Sequence, residues 1–526
     1  MRRLFLTLIA VCLIAVPMTV MAGGQQGSTG STSDGPIEIH VGYTEVVGAT
    51  WAEGEDQGDN LWTRLWLEEY NIKVIADWVS AEYDTTLNLA IASKKLPDAF
   101  IANPVQFQQL AEAGLVQDLQ EAYDNHASPG LRRMMDENAN ILDTARFNGE
   151  LLAIPRLHYG YETSTPHMWA RKDWLEGLGI PEIKTVPDIE NLMDSFKSDF
   201  GAQYGLMLDR TLRQFLQMAP TWHSYPQLWV EGPKGDIVYG ATLPETKEAL
   251  AQFAEWYKEG YIRPDFATLN STAMFEDAYN GRTGMYTQQN WAGWQVGSDM
   301  VNNQGDNTFF MPFNLPTVDG KKAMYPIKFP NSVYSVVNKK YDNPEVLVQL
   351  VSSYVHVLDE AMVKGDMTID QALPFATNNM HHVTGPFKVH FNHYNDIKQV
   401  SGAVATGVEE FSTGNAYQFY FEIRKWIDNG DQVGLGRYIQ MGMPWSSLVN
   451  AIEHVDNNHE LWDKMWGVPP QALRDYGSTL DDLLIEGYTH IITGTQDISY
   501  FDELIEDWKK AGGDQVTAQV NEMYGK

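Results

Sequence analysis

The stretch TTLNLAIASKKLPDAFIAN, residues 85–103, decides the fold class. It reads as a helix, a break at Pro97-Asp98, and a short buried strand from Ala99 to Ala102. Proline pushes the residue before it out of the helical region, so a helix ends there and the chain restarts extended. Upstream, IEIHVGYT (37–44) sets Ile37, Ile39 and Val41 in alternation, the period of a half-buried strand. A helix is expected near Asn60 to Tyr70, and Ile72-Lys73-Val74-Ile75 supplies a further strand. Strands alternating with helices in this way imply an α/β lobe built on a largely parallel sheet.

Helical signals continue downstream. TKEALAQFAEWYKEG (246–260) places Ala249, Leu250, Phe253, Ala254 and Tyr257 on one face and stops at Gly260. DNPEVLVQLVSSYV begins with Asn343 as cap and Pro344 in the first turn. YFDELIEDWKKAGG (500–513) ends in lysines and a Gly-Gly stop. At 526 residues the chain exceeds one ordinary core, so two or more lobes are expected.

The charge is lopsided: 37 Lys+Arg against 69 Asp+Glu, a net −32. Such a surface repels phosphate, which argues against nucleic acid or an anionic membrane as the main partner. The N-terminus, MRRLFLTLIAVCLIAVPMTVMAGG, has a charged start, an apolar run and small residues at its end, as an export signal cut after Ala22 would. Residues 23–36, GGQQGSTGSTSDGP, are a flexible linker. The one cysteine, Cys12, falls inside the signal and lacks the small preceding residue of a lipid-attachment site. Soluble export to the periplasm or cell surface is therefore expected, and a mature chain without disulfides or Cys-ligated metal.

Enzyme templates fail: there is no H-E-x-x-H, G-x-S-x-G, P-loop or G-x-G-x-x-G. EGEDQGDN (53–60) opens like a calcium loop but has Arg64 where the bidentate glutamate belongs. His390 and His393 could share a helix face and bind a metal, although such pairs are more often surface or hydrogen-bonded residues. No catalytic residue, metal or cofactor is assigned.

Aromatic residues in polar loops stand out instead. They are Trp51 in GATWAEGED, Tyr159 and Tyr161 in PRLHYGYETS, Trp222 in APTWHSYPQLW, Trp445 in MGMPWSS, and Trp291 and Trp294 beside Asn290 in TQQNWAGW (287–294). Sugars present flat C–H faces rimmed by hydroxyls, which an indole or phenol covers while amides bond the rim. Trp66, Trp256, Trp426 and Trp508 lie in helical patterns and are read as core.

The run GELLAIPRLHYGYETSTPHMWARKDWLEGLGIPEIKTVPDIENLMDSFK (149–197) resembles extracellular solute-binding proteins of ABC sugar importers, family 1, and most nearly their long oligosaccharide-binding branch. LNLAIASKKLPDAFIAN, YKEGYIRPDFAT, FEDAYNGRTGMYTQQNWAGW, SVYSVVNKKYDNPEVL and HIITGTQDISYFDELIEDWKKAGGDQVTAQVNEMYG match in the expected order. The resemblance implies a periplasmic-binding-protein type II-like fold, two α/β lobes with a hinge and a ligand cleft between them. On that pattern the N-terminal lobe is 37–160 plus 328–400 and the C-terminal lobe 161–327 plus 401–526. It further implies a monomer that hands an oligosaccharide to membrane-embedded permease subunits, with Trp291 and Trp222 on the sugar. Arg156, Arg171 and Lys328 fall near the implied cleft loops. Some long members carry a calcium loop after the helix that follows R-K-D-W-L; FKSDFGAQYGLML (196–208) lacks its alternating acids, so no calcium is expected there. A peptide-binding receptor of the same shape, and a secreted glycoside hydrolase with two opposed carboxylates, stay open as alternatives.

Overall fold

The computed structural model describes residues 35–46, 51–157, 165–179, 183–293, 300–301, 304–305, 308–329, 333–376 and 380–525. The strands that organise it are β1 (Ile37–Thr44), β2 (Ile72–Ser80), β3 (Ala99–Ala102), β4 (Ile154–Pro155), β5 (Pro166–Arg171), β6 (Met285–Gln289), β7 (Phe310–Phe313) and β8 (Tyr334–Val337). The helices that bear on the site are α1 (Leu61–Tyr70), α2 (Tyr83–Ser93), α3 (Pro244–Lys258), α4 (Glu345–Val355), α5 (Tyr394–Thr406), α6 (Gly414–Asn429), α7 (Gln432–Met441) and α8 (Ser447–Asp456). They are followed by α9 (Gln471–Ile492), α10 (Tyr500–Trp508) and α11 (Asp514–Tyr524).

One sheet has the order β2-β1-β3-β8-β4. β1 runs parallel to β2 and to β3, as the alternation of strands and helices predicts, while β8 enters antiparallel between β3 and β4. α1 begins where Asn60 caps it: the Asn60 side chain accepts from the Trp62 and Thr63 amides, and the Thr63 hydroxyl accepts in return from the Asn60 N–H. This reciprocal cap satisfies donors that the first helical turn leaves orphaned. It also aims Trp62 and Trp66 into the core, where both are fully buried.

A second sheet, β6-β5-β7, is antiparallel throughout. Its core gathers residues from Met168 to Tyr325 and closes with Ala472 to Val520 of the C-terminal helices. The first core draws on Ile39 to Leu157 and then on Tyr334 to Ile452. A boundary near residue 400 therefore does not divide the cores, since Ala403, Phe419, Ile423 and Leu448 all pack with the first sheet. The reason lies in α7: Met441 belongs to the first core, while Leu435 and Ile439 pack under the second sheet with Trp169, Tyr286 and Phe310. α6 and α7 form a tight antiparallel pair, because a Cβ on Gly434 would lie 2.2 Å from the Glu422 carbonyl oxygen. A side chain there would force the two helices apart.

One helix end departs from expectation, and a second helix continues past the stretch that marks its start. The Gly-Gly at 512–513 does not stop the chain; Lys509–Gly513 makes one wider turn, Gly512 adopts φ 129, and the path bends into α11. α4 likewise runs on, to Lys364, and Glu345–Lys364 is long and apolar enough to cross a membrane by length and composition. Its most apolar window is 78% buried inside the protein, so its apolarity serves the first core.

His167, on β5, is fully buried, and its ring nitrogens make no hydrogen bond of good geometry. Burial pushes its pKa down to about 4, which the nearby Thr165 and Ser447 backbone groups offset only in part. The unfolded chain then takes up a proton near pH 6.5 that the folded chain refuses, so stability present above that pH is lost as pH falls towards 4. Asp359 and Asp463, raised to about 6 by burial, act in the opposite sense. The expected result is that His167→Leu and the natural protein diverge below pH 6.5 by about 1.4 kcal/mol per pH unit. Urea unfolding between pH 8 and 4.5 measures it, and parallel curves would refute it.

Candidate functional site

TQQNWAGW explains itself residue by residue. β6 ends the stretch's polar half inside the protein: the Thr287 hydroxyl donates to the Gln214 carbonyl at 2.8 Å, and the Gln288 side-chain oxygen accepts from Gln217 at 2.9 Å. The Gln288 carbonyl accepts from the Trp169 indole at 3.0 Å. The Thr287 and Gln288 side chains are thus buried yet hydrogen-bonded, as buried polar groups usually are, while the Gln217 Oε1 behind them has no partner. Beyond the strand, Asn290 is 4% exposed, and its carbonyl accepts from the Ser447 hydroxyl at 3.1 Å. Ala292 is fully buried, and a Cβ on Gly293 would lie 2.9 Å from Ile439, so glycine lets the loop rest on α7. With Asn290 and Ala292 fixed inward, Trp291 is half-buried, its indole N–H donating to the Gln289 side chain at 3.0 Å.

Trp291 and Asn290 form one wall of a cavity of ≈ 320 Å³. Another part of the lining comes from the first core: Tyr354 of α4, Leu358 just beyond it, and the segment Lys388 to Phe391. α6 and α7 close the floor with Asn415, Gln418, Phe419, Arg437 and Gln440. The cavity therefore sits where the two sheets' elements meet.

Its aromatic residues are held from behind. Tyr354 lies between Trp62, at 5.4 Å and 23°, and Phe391, at 5.9 Å and 8°, so a column of rings runs from the core to the cavity. Arg437 lies 4.1 Å above the Phe419 ring and donates through Nε to Glu422 at 3.0 Å. Glu422 in turn accepts from Gln418 at 2.9 Å. His393 meets Asp396 at 2.8 Å, and Asp396 accepts from the Thr413 hydroxyl at 2.6 Å. Lys388 is 4% exposed, and its ammonium stands 2.6 Å from the His382 Nδ1.

Of the residues singled out from sequence, the structure brings Trp291 and Asn290 to the cavity. Trp222 does not reach it: it is 5% exposed and packs edge-on against Phe253 and Trp256 in the second core. Its polar neighbours misled, because APTW forms a short buried 3-10 turn leading away from the surface. Trp51 is half-buried against the first core, and Trp445 half-buried beneath the second sheet; neither lines the cavity. Tyr159, Tyr161 and Trp294 lie outside the described residues. Trp66, Trp256 and Trp508 are core, and Trp426 is partly buried at the junction. Arg171 is structural, paired with Asp173 at 2.6 Å, and Lys328 faces Asp463 and Asp481 in a separate cavity.

The segment Lys388 to His393 was missed as a binding wall. His390 and His393 precede α5 on irregular backbone instead of sharing a helix face. Among the described residues no group of three or more His, Cys, Asp or Glu could hold a metal. The sequence signal was there in PFKVHF, a lysine inside an apolar run.

The family model for bacterial extracellular solute-binding proteins matches residues 48–354. The chain belongs to this family. Lipoprotein LipO of Bacillus subtilis (strain 168) is 23% identical over 97% of both chains. An HMO-binding, ABC-transporter-associated solute-binding protein from Bifidobacterium longum infantis superposes with a TM-score of 0.65 at 13% identity, over 93% of this solute-binding protein and 99% of that chain. The alginate-binding protein AlgQ2 gives 0.61 at 14% identity, over 94% and 99%. The α/β architecture with two lobes and an intervening cleft is thus the one its sequence implies.

Proposed function

We propose that this solute-binding protein captures an oligosaccharide in the cavity between its sheets and delivers it to an ABC permease. The observation that carries the reading is the alternation of ring faces and amides around one space: Trp291, Tyr354, Phe391 and Phe419 among Asn290, Asn415, Gln418 and Gln440. Ring faces cover the C–H surfaces of a pyranose, and amides both donate to and accept from its hydroxyls. That neighbours of the same fold bind HMO and alginate supports a saccharide. The first lobe comprises the chain up to about residue 160 and again from 328, extended through α6 and α8; the second comprises the remainder, with α7 as the shared floor. The lobes close by hinging, and the ligand favours the closed form only by its greater affinity for that form. The protein acts as a monomer outside the cell, cut from its signal near Ala22, and leaves its ligand chemically unchanged.

A thermal-shift screen of the protein against neutral and acidic oligosaccharides, followed by calorimetry, tests this. A ligand that binds only the folded state raises the melting point with its concentration. Chromatography should return the sugar intact. No shift with any saccharide at millimolar concentration would defeat the reading, and released shorter products would show a hydrolase.

A further inference from the structure

We infer that the captured saccharide carries an anionic group, held against Lys388 with the Arg156 charge behind it. This rests on the oligosaccharide reading and specifies its ligand.

Lys388 is set in the cavity wall within Pro386-Phe387-Lys388-Val389, whose other members are buried. Among the described residues its ammonium has one partner within hydrogen-bond reach, the His382 Nδ1, and no carboxylate. An ammonium only donates, so that nitrogen accepts and the imidazole is neutral. Arg156 stands beside this pair. Its Nη2 donates to the Gly385 carbonyl at 2.5 Å, and its Nε is buried without a partner. Among the described residues no ion pair joins either cation to an acid, although the chain holds 69 Asp and Glu against 37 Lys and Arg. Other cations nearby are compensated: Arg437 by Glu422, and Arg133, in a neighbouring cavity, by Asp359.

Two neighbouring cations at a desolvated wall repel one another, and removing them from water is costly unless an anion pairs with them. The consequence is visible on Lys388, which burial and then the Arg156 charge push well below the usual lysine range. An anion on the ligand offsets this repulsion and gives Lys388 a charge-assisted partner. Neutral hydroxyls cannot do so. A carboxylate of a uronic acid and a sulfate ester share this chemistry, and the ring-lined remainder of the cavity would hold the sugar ring of either.

The test is calorimetry of the full chain with four probes of equal length: an oligogalacturonate, its methyl ester, a sulfated galactan fragment, and a neutral malto-oligosaccharide. The expected result is that an anionic probe binds at least about 30-fold more tightly than its neutral counterpart, since a close charge pair is worth roughly 2 kcal/mol or more. Preference for the carboxylate or for the sulfate tells the two sources apart. Lys388→Met should shrink the ratio of anionic to neutral affinity to a few-fold, and Arg156→Gln should do the same independently if Lys388→Met unfolds the protein. Neutral and anionic probes of equal affinity overturn the inference and leave the oligosaccharide reading standing. Binding by none of the four overturns both.

Discussion

Trp62→Ala is expected to cost roughly 3–5 kcal/mol of stability, the range for truncating a fully buried tryptophan. Trp62 is fully buried between Trp66, Tyr354 and Phe375, with ring centroids at 5.7, 5.4 and 4.8 Å. Its indole N–H donates to the Met380 carbonyl at 3.1 Å, an acceptor that the variant would strand. Aromatic pairs contribute about 0.5–1.5 kcal/mol beyond the area they bury, so three lost contacts place the effect high in the range. Tyr354 loses the ring behind it, which predicts weaker ligand binding even at temperatures where the variant stays folded. Scanning calorimetry with and without ligand measures both. A melting point within a degree or two of the natural protein would show that the column of rings does not anchor the cavity wall.

Trp291→Ala is expected to weaken saccharide binding by about 10- to 100-fold with almost no effect on folding. Covering a large side chain fully contributes roughly 1.5–3 kcal/mol, and each 1.4 kcal/mol is a factor of ten in affinity. The fold does not depend on the indole, because the loop is tied down by its neighbours: Asn290 through Ser447 and Gln440, Gly293 against Ile439. The unfolding free energy should therefore change by no more than about 0.5 kcal/mol, as for an ordinary surface substitution. Titration calorimetry decides it. Unchanged affinity together with lost stability would return Trp291 to the core.

Much of this was legible beforehand, and the failures have physical causes. β1 and β2 of the first sheet followed from periodicity, because Ile39, Val41 and Val74 recur at alternate buried positions. β8 could not be read that way, since YSVV is buried at every position and its partners lie far off in sequence. Trp291 and Trp222 looked alike as sequence, each a tryptophan among polar residues. What separates them is tertiary: Asn290 and Ala292 turn inward and leave Trp291 outside, whereas APTW folds into a buried turn against α3. Lys388 carries no mark of its own in the sequence, because its significance depends on which acids stand near it among the described residues. Absence of a partner in space leaves no mark on a linear chain.

The position of β8 has a consequence for how the protein is made. Among the described residues β4 pairs only with β8, and β8 closes the edge of β3, so the first sheet stays incomplete until residues 334–337 have arrived. The second core waits longer still, for Ala472 to Val520. Neither half can reach its native state early and serve as a template for the other. Folding is committed to contacts of large sequence separation, whose loops must close before the pairing rewards them, and such chains fold slowly. Until then β3 presents an unpaired edge, a place where another chain can add. The interleaving that unites the two halves around one ligand thus also makes the nearly finished polypeptide the most vulnerable stage of its life.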